Sequence, residues 1–212
     1  MAGAFGASSA DLLRIPPKPD TSCTDVDYKG VIYGTQLAIH FMRKNQTPGG
    51  CIVATSSIAA LYPFHTFPEY AGAKAAVLSF VRTSAEVFRV KHNIRINAVL
   101  PGTVPTNIMP KAMVDAWGPE QYGGLATEIQ RGLVELMFDS LTPASTVTAA
   151  YMKLLDDNTL NGQAIECSID KHIFSHHPEY LDGWFSKRSL AVWDPLFEAV
   201  HGEKSGLPDA IA

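Results

Sequence analysis

The chain has 212 residues, of which 46% are hydrophobic and 18% charged, and its net charge at pH 7 is −4. This size and composition predict one soluble domain with a hydrophobic core. The basic residues are outnumbered and scattered, which argues against nucleic-acid binding. No run reaches the roughly 18 apolar residues of a membrane span, so neither nucleic acid nor a membrane is expected as a partner.

The first twenty residues lack a basic start followed by a continuous apolar core, so no signal peptide is predicted. The three cysteines, Cys23, Cys51 and Cys167, are an odd number at scattered positions. Such thiols are typical of reduced, intracellular proteins. These features together predict a cytoplasmic protein.

Residues 1–23 contain the proline-rich run PPKP and are predicted to form an irregular lead. A helix follows, because small and apolar residues recur on one face at helical spacing: Val31, Gly34, Leu37, Ala38, Phe41 and Met42. After turn residues at 47–50, the run 50–55 is short, apolar and β-branched, which predicts a buried strand. That strand delivers Ser57 at its carboxyl end, where ligand sites of open α/β sheets gather.

Tyr70 stands thirteen residues after Ser57, and Lys74 follows four residues later in an alanine-rich segment. The alanines predict a helix, on which positions i and i+4 share a face, so Tyr70 and Lys74 point the same way. A nearby ammonium favours the phenolate form of a tyrosine, which suits Tyr70 as a general acid or base. Ser57 would hold the substrate oxygen by a hydrogen bond. The trio therefore predicts proton transfer to and from an oxygen.

A further strand is predicted downstream, at 94–100, which runs into the sequence PGTVPT. Between 102 and 142, apolar residues recur at helical spacing. Two interpretations of this segment stay open: an ordinary amphipathic helix, or a lid over Tyr70. The histidines at 172, 176 and 177 are predicted to lie in a surface loop, since no cysteine or carboxylate completes a metal-site spacing, and no metal is expected.

The order of these features resembles the short-chain dehydrogenase/reductase family, whose signature is Ser, then Tyr-x-x-x-Lys, then Asn-x-Val-x-Pro-Gly with a downstream Thr. The resemblance covers residues 24–168. It implies that residues 161–167 form the family's last strand, after a helix that begins behind Thr142 and Pro143. It implies an α/β fold, a partial Rossmann-like three-layer sandwich around a parallel sheet, in a single domain 1–212. In that domain, residues 102–142 would form a lid and 169–212 a C-terminal extension.

The resemblance also implies a function and partners. It predicts an oxidoreductase that uses NAD(P) on a small apolar hydroxy or keto compound, and a homodimer or homotetramer built through two helices. The tail beyond residue 169 resembles that of some fungal members, which often serve secondary metabolism.

By the same resemblance, Ser57, Tyr70 and Lys74 are catalytic, and Asp27 occupies the position of the family's catalytic asparagine. An aspartate there would bring a negative charge near Lys74. Two unit charges about 4 Å apart interact by roughly 4 kcal/mol at an effective dielectric of about 20. Such a charge would hold Lys74 protonated, partly cancel its pull on Tyr70 and so alter proton relay. The alternative is that this position has drifted in a chain that is no longer selected for redox chemistry.

The nicotinamide end of a dinucleotide is implied to contact Tyr70, Lys74, Val104 and Thr106. Three other residues are candidate substrate contacts. His65 lies five residues before Tyr70 and could act as a second acid or base near neutral pH. Met109 and Trp117 would suit an apolar substrate.

One part of the family pattern has no counterpart in this sequence. The Gly-rich opening needs about 30 residues for its strand, turn and helix, and only two residues precede Gly3. We therefore expect an N-terminally truncated member whose strand 50–55 is a bare edge. This leaves the cofactor open, NAD(P) or none. It also leaves three functions open: an NAD(P)-dependent oxidoreductase, a cofactor-independent acid/base enzyme such as an isomerase, cyclase or dehydratase, and a catalytically silent subunit.

Overall fold

The structure is a computed structural model that describes residues 18–62, 67–106, 141–176 and 195–204. A π-helical turn (Thr24–Lys29) continues directly into helix α1 (Gly30–Met42). The elements that follow are strand β1 (Gly50–Thr55), a 3-10 turn (Ile58–Ala60), helix α2 (Pro68–His92), strand β2 (Ile94–Pro101), helix α3 (Ala144–Asp156), strand β3 (Ala164–Ser168) and strand β4 (Lys171–Phe174). A short helix covers residues 195–201.

The four strands form one sheet in the order β1-β2-β3-β4. The first three are parallel, with Ile52 opposite Ile96 and Val99 opposite Ile165, and β4 is antiparallel to β3. Parallel neighbours need a long crossover connection, which α2 and α3 supply. Within the described ranges β1 pairs with β2 alone, so its second edge is open. The predicted α/β class, with a mainly parallel sheet, is confirmed.

Strand β4 was not expected, and the prediction of a surface loop is wrong for residues 171–174. Ile169 adopts a left-handed backbone conformation with φ of 54°, and the chain turns back at once so that Ser168 pairs with Lys171. The pairing continues to Ile165 opposite Phe174. Local sequence hid this strand because its charged and histidine residues are poor strand formers, whereas the neighbouring strand supplies the pairing.

Helix α2 covers one face of the sheet and α3 the other. Val77 and Val81 of α2 are fully buried against the strand residues Ala54, Ile96, Ala98 and Leu100. On the opposite face, Ala150 and Leu154 of α3 pack on Val99, Ile165 and Cys167. Strand β2 is therefore buried on both faces, as central strands of parallel sheets are.

Helix α2 begins with Pro68, whose fixed φ suits a first helical position, and ends at Asn93 in the left-handed conformation, with φ of 53°. These two ends fix which residues lie in its first turns. Tyr70 and Lys74 are among them.

Helix α1 departs from the expected burial of its apolar face. Val31 packs against the core, but Leu37 and Phe41 are 59% and 62% exposed. Tyr33, one turn before Leu37, is also 62% exposed. The helix lies beside β1, the edge strand, and no strand of the described ranges covers this side. None of the helices in these ranges is long and apolar enough to cross a membrane.

Candidate active site

Tyr70 and Lys74 lie in the first two turns of α2, on one face of the helix. The Lys74 Nζ is 5.5 Å from the centroid of the Tyr70 ring, which is within range of a cation–π contact. Lys74 is only 9% exposed, and Tyr70 is half-buried. The spacing that suggested a shared face therefore places the ammonium beside the phenol ring.

The Lys74 ammonium has two acceptors in the described structure. It donates to Asp27 Oδ1 at 2.9 Å and, at 3.5 Å, to the carbonyl oxygen of Thr55 at the end of β1. The side chains of Lys74 and Asp27 are 11% and 25% exposed, so this ion pair is largely removed from water. A buried ammonium is costly unless it is paired and hydrogen-bonded, and Asp27 supplies that pairing. Asp27 is thus directly linked to Lys74.

Ser57 is the second residue beyond the carboxyl end of β1 and is 8% exposed. Its Oγ accepts a hydrogen bond from the Ala59 amide at 3.2 Å, which caps the 3-10 turn. A hydroxyl is also a donor, and this cap uses only its acceptor side. The preceding residue, Ser56, donates from its Oγ to the main-chain carbonyl of Lys74 at 2.8 Å. The chain just beyond β1 is therefore hydrogen-bonded to α2 beside the candidate catalytic residues.

Glu69 is a contact that sequence analysis missed. Its Oε1 accepts from the amide and from the hydroxyl of Thr24, at 2.8 and 2.9 Å. The amide of Thr24 is the main cause that lowers the pKa of the Glu69 carboxyl. In return, hydrogen bonding to Glu69 is the main cause that raises the pKa of the Cys23 thiol to about 11. Glu69 and Thr24 lie 45 positions apart, and no local pattern joins them.

A second unexpected polar pair joins the 3-10 turn region to β3. The Tyr62 hydroxyl donates to Glu166 Oε2 at 2.9 Å, and Glu166 is 6% exposed. Glu166 thereby raises the pKa of Tyr62. Glu166 follows Ile165 in β3, and no sequence pattern indicated a buried carboxylate in that strand.

Val104 and Thr106 lie just beyond the carboxyl end of β2, where Val104 is half-buried and Thr106 exposed. The turn before them is tight, because the Gly102 amide donates to the Cys167 carbonyl at 2.9 Å. A Cβ at Gly102 would lie 2.7 Å from the Thr142 hydroxyl oxygen, so a side chain would displace this turn. Both residues share the sheet edge at which Ser57 follows β1, since β1 and β2 are parallel.

The remaining site predictions lie outside the described residues. These are the candidate substrate contacts His65, Met109 and Trp117, and nearly all of the proposed lid at 102–142. Within the ranges that the structure describes, no group of three or more histidine, cysteine, aspartate or glutamate side chains is arranged to hold a metal ion.

The profile of one protein family, short chain dehydrogenase, matches residues 2–116. The chain belongs to the short-chain dehydrogenase family. The match includes the strand that precedes Ser57 and the helix that carries Tyr70 and Lys74, so the family predicted from these residues is confirmed. Members of this family generally use NAD or NADP.

Relatives of this short-chain dehydrogenase include a short-chain dehydrogenase/reductase of Penicillium rubens, 46% identical over 208 residues, which are 98% of this chain and 63% of the relative. The 15-hydroxyprostaglandin dehydrogenase [NAD(+)] of Mus musculus is 29% identical over 158 residues, 73% of this chain and 56% of the relative. The chain thus spans less than two thirds of the length of these relatives.

Among solved structures, that of levodione reductase is similar to this short-chain dehydrogenase in fold. The TM-score is 0.55 at 24% sequence identity, over 68% of this chain and 54% of the other. At this identity the likeness concerns the fold, and it confirms the predicted Rossmann-like architecture.

Proposed function

We propose that this short-chain dehydrogenase interconverts a hydroxyl and a keto group on a small apolar compound with NAD(P), and that Tyr70 is its general acid and base. The observation that carries the proposal is the Lys74 ammonium, which lies 5.5 Å from the Tyr70 ring centroid and is held by Asp27 at 2.9 Å. A positive charge beside a phenol favours its phenolate form, which supports Tyr70 as the group that gives and takes the proton.

Each of these residues has one task in this reaction. In the direction of reduction, Tyr70 gives its hydroxyl proton to the oxygen of the keto group; in the direction of oxidation, it takes the proton of the hydroxyl. The positive charge of Lys74 stabilises the phenolate that remains on Tyr70. Ser57 holds the substrate oxygen through the donor side of its hydroxyl. Asp27 and the Thr55 carbonyl keep the Lys74 ammonium in place.

The residues present fit the nicotinamide end of a dinucleotide. An ammonium has three donors, and the described acceptors of Lys74, Asp27 and Thr55, occupy two of them. The third donor is available to a ribose hydroxyl, with Tyr70 beside it. Val104 and Thr106 at the same sheet edge would contact the nicotinamide amide. A bound nicotinamide supplies or accepts the hydride at the carbon that bears the oxygen.

The proposal includes a homodimer or homotetramer, a place in secondary metabolism and a cytoplasmic location. The oligomer is supported by the exposed apolar side of α1, and the location by the three free cysteines. The place in secondary metabolism is supported by the resemblance of the sequence beyond residue 169 to the C-terminal tail of some fungal members of the family.

The deciding experiment titrates the purified protein with NADH and NADPH, follows nucleotide fluorescence, and then assays turnover of a panel of small ketones. We expect saturable binding, and a loss of turnover of about 100-fold or more in Tyr70→Phe with an intact fold, because the substitution removes only the hydroxyl that transfers the proton. Tyr33→Phe, which removes an exposed hydroxyl on α1, is the matched control and should keep full turnover. Turnover without nucleotide, or full activity in Tyr70→Phe, would contradict the proposal.

A further inference from the structure

Two polar links join the π-helical turn to α2, one on each side of Tyr70. Thr24 at the start of the turn is bound by Glu69, and Asp27 in its middle is bound by Lys74. The two residues lie within a single turn of the π-helical segment, and their partners flank Tyr70 in α2. The second link belongs to the proposed proton-transfer site, whereas the first has no assigned role.

The backbone around Asp27 is unusual and needs support. Residues Thr24–Lys29 are π-helical, a form that occurs mostly as single turns inside α-helices and frequently at functional sites. The extra residue in each π turn rotates the side chains relative to an α-helix. A change of register by one residue shifts a side chain by about 1.5 Å along the axis and to a different face. Such a change would break the contact of 2.9 Å between Asp27 and Lys74.

Glu69 supplies a hydrogen-bond acceptor for a main-chain amide near the start of this helix. The first amides of a helix have no partner within the helix. Asp20 accepts from the Ser22 amide at 2.9 Å, and Glu69 accepts from the Thr24 amide at 2.8 Å. The second bond comes from another helix, and it is doubled by the Thr24 hydroxyl. The start of the π-helical turn is therefore fixed to α2, one residue before Tyr70.

We propose that Glu69 is a positioning residue that holds the π-helical turn against α2 so that Asp27 reaches Lys74. The consequence for catalysis rests on the proposed function, but the geometric effect does not. Glu69 touches neither Lys74 nor Tyr70 through any described hydrogen bond, and it acts through Thr24. Replacing Glu69 by alanine removes both bonds to Thr24, whereas glutamine keeps the Oε1 acceptor.

The test reads the Lys74 environment by NMR, from the side-chain resonances of ¹³C,¹⁵N-labelled lysine, with Lys74 assigned by its loss in Lys74→Arg. We expect Glu69→Ala to move the Lys74 resonance toward its position in Asp27→Ala, and Glu69→Gln to leave it close to wild type. Glu86→Ala is the matched control, because Glu86 is a carboxylate of the same helix that pairs with Arg89 at 2.9 Å. A Lys74 resonance at the wild-type position in folded Glu69→Ala overturns the proposal.

A second variant keeps the test decisive if Glu69→Ala does not fold. Thr24→Val preserves the shape of the side chain and removes the hydroxyl bond of 2.9 Å. We expect a smaller displacement of the same Lys74 resonance in this variant, and no displacement would overturn the proposal.

Kinetics then separate the inference from the proposed function. Where the enzyme turns over, Glu69→Ala should lower kcat by roughly 10-fold to 100-fold with little change in KM, since a small misplacement of a catalytic group has effects of this order. The same change should have little further effect in the Asp27→Ala background. A displaced Lys74 resonance without any effect on turnover would support the positioning role and contradict the proposed function of Lys74.

Discussion

At the scale of single residues, the candidate site depends on one buried ammonium and its partners. Lys74 is 9% exposed, so its charge must be paired within the protein. The pairing comes from Asp27, whose Oδ1 lies 2.9 Å from the Lys74 Nζ. An asparagine at this position could offer a carbonyl oxygen to Lys74 but no negative charge. The spacing of Tyr70 and Lys74 could be read directly from the sequence, whereas the distance to Asp27 could not.

Cys23 and Cys167 lead to a prediction about alkaline stability. The pKa of each thiol is raised to about 11, for Cys23 mainly by its hydrogen bond to Glu69 and for Cys167 mainly by burial. The ordinary value is 9.0, so the unfolded chain loses these protons first. The contribution that these protonated thiols make to the free energy of unfolding is therefore complete below pH 9, and it is lost as the pH rises toward 11.

Urea unfolding at pH 8 and at pH 10.5 checks this expectation. The urea midpoint should fall over this interval, and it should fall by less in Cys167→Ala. The fall of the urea midpoint between the two pH values is compared within each protein, so the pH-independent loss of stability caused by the substitution cancels. Equal falls in both proteins would show that Cys167 makes no contribution.

At the scale of secondary-structure elements, local sequence predicted the strands and helices that build the core. The run 50–55 is β1, the run 94–100 is β2 with one further residue, and α3 begins directly after Pro143. β1 and β2 are short apolar runs bounded by turn residues or a helix end, which local sequence reveals, whereas α3 was predicted from the resemblance to the family. β4 was missed because its formation depends on pairing with β3.

Adjacent leucines of α3 provide a matched test of how this helix packs. Leu154 is fully buried, and Leu155 is 42% exposed. Leu154→Ala should lower the free energy of unfolding by about 2–5 kcal/mol, because it leaves a cavity against the sheet. Leu155→Ala should change it by only about 0.5 kcal/mol. Urea denaturation of both variants measures the difference, and equal losses would contradict this orientation of α3.

At the scale of the whole molecule, the exposed apolar side chains of α1 form a candidate surface for self-association. Tyr33, Leu37 and Phe41 form a stripe at i, i+4 and i+8 on α1, and each is more than half exposed. Single exposed apolar residues are ordinary, but an aligned group marks an interaction surface. Leu37 and Phe41 belong to the apolar face that helical periodicity predicted, whereas Tyr33 does not, and the sequence did not indicate whether the fold would cover them.

We expect that charge on this stripe weakens self-association. Leu37→Glu combined with Phe41→Glu should reduce the mass measured by light scattering from a multiple of 23.0 kDa toward that of one chain. Met152→Glu is the control, because Met152 is 50% exposed on α3, away from the stripe. An unchanged mass in the double variant would remove α1 from the interface.

The sequence by itself determined the family, the fold class, and the common helix face of Tyr70 and Lys74, because these follow from motifs, their order and helical spacing, all of which can be read along the chain. Tertiary structure decided the ion pair of Lys74 with Asp27, the bonds of Glu69 to Thr24, the pair of Tyr62 with Glu166, and the exposure of α1. These partners lie between 45 and 104 positions apart in the chain. Helical and strand periodicity predicts which side of an element is apolar, but the neighbouring elements decide what each side meets.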